Sequence, residues 1–195
     1  MSRRESKRFE ALAVLYERIR DVRGAIVELG VASGESLRMW ARLVGDEDRE
    51  IFGFDTFAGF PAFSSEDGPM APAIGKRVGG ETELRPRPLG IVEVDVPCNV
   101  QLFAGDIVET LPKHAPDPDR VALVFFDADC YAPTKCGIEV LWPRLSKGGL
   151  FVFDEYGQDA WPGETKAVND FVAKEGLLLE RLEMESGPSA LVVKP

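Results

Sequence analysis

An alternation of short apolar runs with helical patterns constrains the fold of this chain more than any other feature. Each run is rich in Val, Ile, Leu and Phe, and a segment of helical spacing or a longer connection separates it from the next. This strand–helix–strand order is typical of parallel sheets whose crossover helices cover the faces. We therefore predict strands at 25–29, 51–54, 100–103, 121–126 and 150–153, and helices at about 35–43, 133–141 and 165–174.

The C-terminal segment departs from this alternation. Two apolar stretches, 177–184 and 190–193, are joined only by a short turn at Ser186-Gly187-Pro188. Strands this close in sequence pair antiparallel, because a parallel crossover needs about a dozen residues or more. The sequence therefore predicts a doubly wound, Rossmann-like α/β fold. Its mostly parallel, seven-stranded sheet should end in a C-terminal antiparallel hairpin.

Length, charge and cysteine content limit the class of protein. A chain of 195 residues fits a single domain, 1–195, with an amphipathic helix at about 6–22 covering the sheet. A formal net charge of -10 argues against a nucleic-acid surface, which needs clustered Lys and Arg. No apolar run reaches the roughly 18 residues of a membrane-spanning helix. The three cysteines form no CxxC pair, so we expect reduced thiols in a cytoplasmic protein.

The turn after the first strand is the first candidate ligand site. Glycines at both ends of Gly30-Val31-Ala32-Ser33-Gly34 allow the backbone to bend sharply and to approach a ligand closely. The turn matches neither a G-x-G-x-x-G motif nor a P-loop. Asp55, at the end of the second strand, can accept hydrogen bonds from both hydroxyls of a ribose. Asp106 either contacts an adenine amino group or caps the helix that begins at Ile107.

Carboxylates follow two neighbouring strands at the point where each strand ends. Asp127 and Asp129 follow the fourth strand, and Asp154-Glu155 follows the fifth. Neighbouring strands lie about 4.8 Å apart, so Asp127, Asp154 and Glu155 can converge on one point. Three crowded carboxylates repel one another unless a cation lies between them, and hard oxygen ligands suit Mg²⁺. A helix cap or a solvated rim would explain one acid, whereas a magnesium site explains all three.

The stretch 61–97 is rich in Gly, Pro and charged residues and shows little periodicity. A connection this long inside a compact domain is either functional or disordered. We interpret it as a lid or insert loop on the substrate side of the site.

Three sequence blocks carry a family resemblance. They are Val27-Glu28-Leu29-Gly30-Val31, Phe54-Asp55-Thr56-Phe57-Ala58-Gly59-Phe60-Pro61 and Gly105-Asp106-Ile107-Val108-Glu109-Thr110-Leu111-Pro112. Together they resemble the macrocin-type O-methyltransferases, which act on sugars of macrolide and aminocoumarin antibiotics. The similarity runs from about 26 to 171, with a gap across the lid stretch. A parallel sheet closed by one antiparallel strand is also what class I methyltransferases show.

The resemblance implies S-adenosylmethionine as cofactor and assigns roles to individual residues. Asp127, Asp154 and Glu155 match the family's metal ligands. Asp129 matches the proposed general base of its Asp-x-Asp motif, which makes Asp129 and Asp127 the candidate catalytic residues. We assign the cofactor site to Glu28, Gly30, Ala32, Gly34, Ser36, Asp55, Thr56, Asp106 and Asp127.

Three functional hypotheses follow from the sequence. The first is an Mg²⁺-dependent O-methyltransferase that methylates a hydroxyl of a sugar or another small natural product. The second is a class I methyltransferase whose carboxylates position the acceptor without a metal. The third is a non-catalytic Rossmann-like module that binds a nucleoside ligand or a partner. We favour the first, with a small-molecule acceptor rather than nucleic acid or membrane, and a homodimer is a further possibility that the family suggests.

Overall fold

The computed structural model describes residues 2–78 and 100–195, which form alternating helices and strands. The helices are α1 (Arg3–Arg18), α2 (Glu35–Val44), α3 (Ala71–Val78), α4 (Ile107–His114), α5 (Tyr131–Leu141) and α6 (Pro162–Glu175). The strands are β1 (Ala25–Leu29), β2 (Ile51–Asp55), β3 (Val100–Ala104), β4 (Val121–Phe126), β5 (Leu145–Phe153), β6 (Glu180–Arg181) and β7 (Ala190–Val193). Short 3-10 turns lie at Ser65–Asp67 and Trp142–Arg144.

Within the described residues, the strands form one seven-stranded sheet in the order β3-β2-β1-β4-β5-β7-β6. Strands β1 to β5 are parallel, β7 runs antiparallel to β5, and β6 runs antiparallel to β7. The predicted fold class is therefore confirmed, including the C-terminal hairpin. The winding direction reverses between β1 and β4, which is the place where open α/β sheets bind ligands.

Two hydrophobic layers cover the sheet. Helices α1 and α2 pack on one face through buried residues such as Leu12, Leu15 and Trp40. Helices α4, α5 and α6 cover the other face through residues such as Leu111 and Leu141. Strands β1 and β4 are buried along their whole length, as expected of parallel strands covered on both faces.

Three helices begin two or three residues earlier than expected from the sequence, and α6 is one of them, with its start at Pro162 rather than near residue 165. Helix α1 begins at Arg3 rather than near residue 6, because Ser2 and Glu5 form a capping box at its start. Helix α5 begins at Tyr131 rather than at Pro133. A proline is tolerated in the first turn of a helix, where its missing N–H would have no partner within the helix.

The lid stretch 61–97 lies only partly within the described residues. Its first part is ordered into the 3-10 turn Ser65–Asp67 and helix α3, which the weak periodicity of the sequence did not predict. The part from 79 to 97, like Cys98, lies outside the described residues. Among the helices that the structure describes, none is long and apolar enough to cross a bilayer.

Candidate active site

The ends of four parallel strands meet at the edge of the sheet where the winding reverses. Leu29 at the end of β1 is in register with Phe54 and with Phe126, and Phe126 is in register with Phe153. Backbone hydrogen bonds continue one residue beyond the strands, from Asp127 N to Leu29 O and from Asp154 N to Phe126 O (2.8 and 3.0 Å). The residues that follow β1, β4 and β5 are therefore brought together.

The glycine turn after β1 is pressed against the end of β4. Gly30 has a φ of +93°, and a Cβ at this position would lie 2.0 Å from the carbonyl oxygen of Asp127. The close approach that requires glycine here is thus to the protein backbone. Gly34, with a φ of +75°, is the N-cap of α2, and its N–H donates to Val31 O (2.7 Å). This turn aims the first turn of α2 at the ligand edge of the sheet.

Asp55 fastens the glycine turn to the end of β2. Its Oδ2 accepts hydrogen bonds from the backbone N–H groups of Val31 and Ala32, both at 2.8 Å, and its Oδ1 accepts from Phe57 N at 2.6 Å. Ala32 is held at a φ of +46°, a left-handed conformation that is uncommon for alanine. Thr56 shapes the next turn by donating from Oγ1 to Gly59 O at 2.5 Å. Asp55 therefore sets the shape of the candidate cofactor turn.

Glu28 is fully buried and braces α2 against β1. Its Oε1 accepts a hydrogen bond from Ser36 Oγ (2.7 Å), while its Oε2 has no hydrogen-bond partner among the described residues. Burial raises the pKa of the Glu28 carboxyl to about 8, and the nearby Asp55 and Asp154 carboxylates act in the same direction. Glu28 and Ser36 thus support the cofactor turn from within the core.

Asp106 is the N-cap of α4, one of the two alternatives that the sequence left open. Its Oδ1 accepts a hydrogen bond from Val108 N at 2.9 Å. Capping by Oδ1 is compatible with an additional contact to a ligand, since a carboxylate offers further lone pairs on its other oxygen.

Asp127, Asp154 and Glu155 form the acidic cluster that the sequence predicted. One carboxylate oxygen from each lies within 4.8 Å of the others. Asp154 and Glu155 are only 8% and 9% exposed. Burial, followed by the charge of Asp154, raises the pKa of Asp127 well above its ordinary value. Burial and the charges of Asp127 and Asp154 do the same for Glu155. Such a cluster needs protons or a cation to be stable.

Asp129 lies beside this cluster but is not one of its three converging ligands. It has a φ of +64°, a left-handed conformation that aspartate tolerates better than most residues. Burial and the charge of Asp154 raise the pKa of Asp129 to about 7, and a hydrogen bond with Glu155 partly opposes this shift. A carboxylate with a pKa near neutrality can both accept and release a proton.

The sequence-based reasoning missed two residues of the site. The Arg8 guanidinium, from α1, contacts Asp127 (Nη2 to Oδ2, 2.7 Å) and Asp154 (Nη1 to both Oδ atoms, 3.2 Å). Glu164, fully buried in the first turn of α6, accepts a hydrogen bond from Glu155 N at 2.9 Å. Charge pattern gives no signal for Arg8, because Arg3, Arg4 and Lys7 precede it on the same helix.

An aromatic wall of Phe60, Phe63 and Trp161 packs with Cys130, the residue that follows Asp129. Phe60 packs against Phe63 and Trp161, with ring centroids 5.2 and 5.4 Å apart. The 3-10 turn at the start of the lid stretch is fixed nearby, because Asp67 Oδ1 accepts a hydrogen bond from Tyr131 N at 2.6 Å. Trp161 is 7% exposed and belongs to this wall.

The donor set of the cluster fits a hard divalent cation. It offers carboxylate oxygens, the ligands that Mg²⁺ prefers. Glu155 Oε2 is buried and has no hydrogen-bond partner among the described residues. A buried acceptor without a donor is costly, and a cation held by the cluster would satisfy it.

Comparison with known proteins relates the chain to methyltransferases. A family model described as "Methyltransferase domain" matches residues 27–156. The mycinamicin III 3''-O-methyltransferase of Micromonospora griseorubida is 28% identical over 173 residues, which are 84% of this chain and 66% of that protein. A Streptomyces olivaceus enzyme, 8-demethyl-8-(2,3-dimethoxy-alpha-L-rhamnosyl)-tetracenomycin-C 4'-O-methyltransferase, is 31% identical over 165 residues, which are 80% of this chain. That match covers 60% of the relative, so this chain spans at most about two thirds of either curated protein.

Solved structures give the same relationship. The crystal structure of CalS11, a calicheamicin methyltransferase, matches this chain with a TM-score of 0.73 at 32% identity. The match covers 95% of this chain and 77% of the CalS11 chain. CalS11 is also described as a TDP-rhamnose 3'-O-methyltransferase. The O-methyltransferase NovP, with a TM-score of 0.76 at 24% identity over 96% of this chain and 79% of its own, shares the fold. These relatives confirm the resemblance that the three sequence blocks indicated.

Proposed function

Because this chain belongs to the methyltransferase domain family, we propose that it is an S-adenosylmethionine-dependent O-methyltransferase. Its acceptor is a hydroxyl of a sugar or another small natural product, and its reaction depends on Mg²⁺. The observation that carries the proposal is the acidic cluster of Asp127, Asp154 and Glu155, which lies beside the glycine turn at the winding reversal of the sheet. The rhamnosyl group named for the Streptomyces relative, and the TDP-rhamnose named for CalS11, support a sugar acceptor.

The cofactor is held by the turn after β1 and by the ends of β2 and β3. The Asp55 carboxylate accepts hydrogen bonds from the backbone of the turn and retains lone pairs for the ribose hydroxyls. Asp106 contacts the adenine amino group with the lone pairs that are not used in capping α4. Gly30, Ala32 and Gly34 shape the turn, and Glu28 and Ser36 support it from below. Bound S-adenosylmethionine supplies an electrophilic methyl group.

The acceptor hydroxyl is placed by the acidic cluster. Asp127, Asp154 and Glu155 would hold Mg²⁺, which lowers the pKa of a hydroxyl that it binds. Asp129, whose carboxylate lies beside the cluster, accepts the proton of that hydroxyl. The aromatic wall of Phe60, Phe63 and Trp161, which packs with Cys130, would provide an apolar surface next to Asp129. Much of the rate enhancement would come from fixing the two reactants in place.

Transfer of a radiolabelled methyl group from S-adenosylmethionine to a panel of nucleotide sugars and rhamnosylated natural products tests this function. We expect product with Mg²⁺ and none after chelation. Asp129→Asn should lower turnover by about a hundredfold or more with little change in Mg²⁺ affinity. Asp127→Ala should abolish metal-dependent turnover. The exposed Asp117→Asn is the control and should match the wild type.

A metal-independent methyltransferase is the second candidate, and the contact of Arg8 with Asp127 and Asp154 favours it. A guanidinium already neutralises part of the cluster, so the carboxylates could orient an acceptor without Mg²⁺. Turnover that survives chelation would select this candidate. Tight binding of S-adenosylmethionine without transfer to any acceptor would instead indicate a non-catalytic module.

A further inference from the structure

Arg8 brings a positive charge from α1 into the acidic cluster. Its guanidinium makes hydrogen bonds to Asp127 and Asp154, which are two of the three candidate metal ligands. The Arg8 side chain is 12% exposed and lies over the ring of Phe125, 5.5 Å from its centroid. Arg8 is thus a built-in cation for carboxylates that would otherwise repel one another.

A divalent metal and Arg8 would compete for the same oxygens. Mg²⁺ requires carboxylate oxygens at about 2.0–2.1 Å in nearly octahedral geometry. The Arg8 contacts use Asp127 Oδ2 and both carboxylate oxygens of Asp154. A guanidinium held this close to the metal would also repel it, because both are positively charged. A metal bound to the oxygens that Arg8 holds therefore favours withdrawal of Arg8.

The helix that carries Arg8 is attached unevenly. The second half of α1 is anchored in the core by Leu12, Leu15 and Tyr16, which are at most 3% exposed. Residues 2–10 are exposed or half-buried. Besides Arg8, this first half is held by an ion pair between Lys7 and Glu185 and by partial packing of Phe9. The first two turns are therefore attached to the core more weakly than the second half of the helix.

From these contacts we infer that Arg8 is a latch on the metal site. Arg8 and a metal compete for Asp127 and Asp154, so that metal binding displaces Arg8 and loosens the first half of α1 over the site. This inference rests on the proposed Mg²⁺ site. Arg8 then controls the entry of the metal and also neutralises the charge of the carboxylates.

Titration calorimetry of Mg²⁺ into chelator-stripped protein tests the latch. Arg8→Gln removes the competing charge, so it should bind Mg²⁺ about tenfold more tightly than the wild type, as expected for the loss of charge-assisted hydrogen bonds. Arg4→Gln is the matched control, because Arg4 is an exposed cation in the same half of α1. It should bind Mg²⁺ like the wild type.

The other outcomes separate the latch from the metal site. If all three proteins bind Mg²⁺ equally, or if Arg8→Gln binds more weakly, the latch is wrong and the metal site stands. If none binds Mg²⁺, the metal site itself is wrong and the latch falls with it. Should Arg8→Gln fail to fold, Arg8→Lys replaces it, because lysine retains the charge but loses the forked contact. Tighter Mg²⁺ binding than in the wild type then supports the latch, and equal or weaker binding refutes it.

Hydrogen exchange supplies a readout that does not depend on catalysis. In the wild type, Mg²⁺ should speed amide exchange in residues 7–10 and leave residues 11–18 unchanged, because only the first half of α1 is released. Arg8→Gln should already show the faster exchange without metal. Mg²⁺ binding with no change at residues 7–10 would refute displacement of the helix.

Discussion

Replacing Glu28 by glutamine should change how the stability of this protein depends on pH. Glu28 is fully buried on β1, and its pKa is raised from an ordinary 4.5 to about 8. The folded protein therefore keeps this carboxyl protonated at pH values where the unfolded chain releases the proton. The stability that this proton provides is fully present below pH 4.5 and is lost as the pH rises towards 8.

The size of the effect follows from the linkage relation. One pKa unit corresponds to about 1.36 kcal/mol. Compared with low pH, where Glu28 is protonated in the folded and the unfolded chain, the free energy of unfolding is therefore lower by about 3 kcal/mol at pH 7 and by about 1 kcal/mol at pH 5. Glutamine has a similar shape and can accept the same hydrogen bond from Ser36, but it does not ionise. Between pH 5 and pH 7 the wild type should therefore lose about 2.5 kcal/mol more stability than Glu28→Gln.

Urea unfolding of the two proteins at pH 5 and pH 7, in chelator, measures this difference. For a chain of this size it corresponds to a change of about 5–10 °C in the relative Tm. Glu10→Gln, at an exposed position on α1, is the control and should follow the wild type. If the free energy of unfolding changes equally with pH in Glu28→Gln and in the wild type, Glu28 titrates alike in the folded and unfolded chains, and its raised pKa is wrong.

Three further substitutions test the turns around the site. Gly30→Ala should destabilise the protein by about 3 kcal/mol or more in thermal unfolding, because its Cβ would lie 2.0 Å from the Asp127 carbonyl oxygen. The control Gly176→Ala meets nothing within 4 Å and should cost only about 1–2 kcal/mol of backbone strain; equal losses would contradict the argument. Asp106→Ala should cost about 1 kcal/mol as a lost cap, and a fall in cofactor affinity without further unfolding would identify the adenine contact. Asp67→Ala should speed proteolysis of segment 61–78, because this segment loses its hydrogen bond to Tyr131 N at the start of α5. Unchanged cleavage would argue against this anchor.

The sheet could be predicted from the sequence because each parallel strand is a continuous apolar run. The 25–29 and 121–126 strands match β1 and β4 at both ends, since Gly24 and Gly30 bound the first and Asp127 follows the second. Helix ends were less accurate, because caps such as Ser2 with Glu5 are decided by local hydrogen bonds. The acidic cluster was predictable for a topological reason: Asp127 and Asp154 directly follow adjacent parallel strands.

Other features of the site depend on contacts between distant segments. Arg8 reaches Asp127 across 119 positions of sequence, and no local pattern distinguishes it from the other cations of α1. Glu164 reads as an ordinary first-turn acid of α6, yet it is fully buried beneath Glu155. The need for glycine at Gly30 was predicted, but the sequence pointed to a ligand, whereas the structure places the Asp127 backbone there.

The central claim is that the turn after β1 binds S-adenosylmethionine beside a carboxylate metal site. The most direct test is calorimetric titration of S-adenosylmethionine into the purified protein, first with Mg²⁺ and then with a chelator. We expect binding in the micromolar range, weakened by Asp55→Ala, and a separate Mg²⁺ signal that disappears in Asp127→Ala. If S-adenosylmethionine binds under neither condition, the protein is not an S-adenosylmethionine-dependent enzyme, and only the fold remains established.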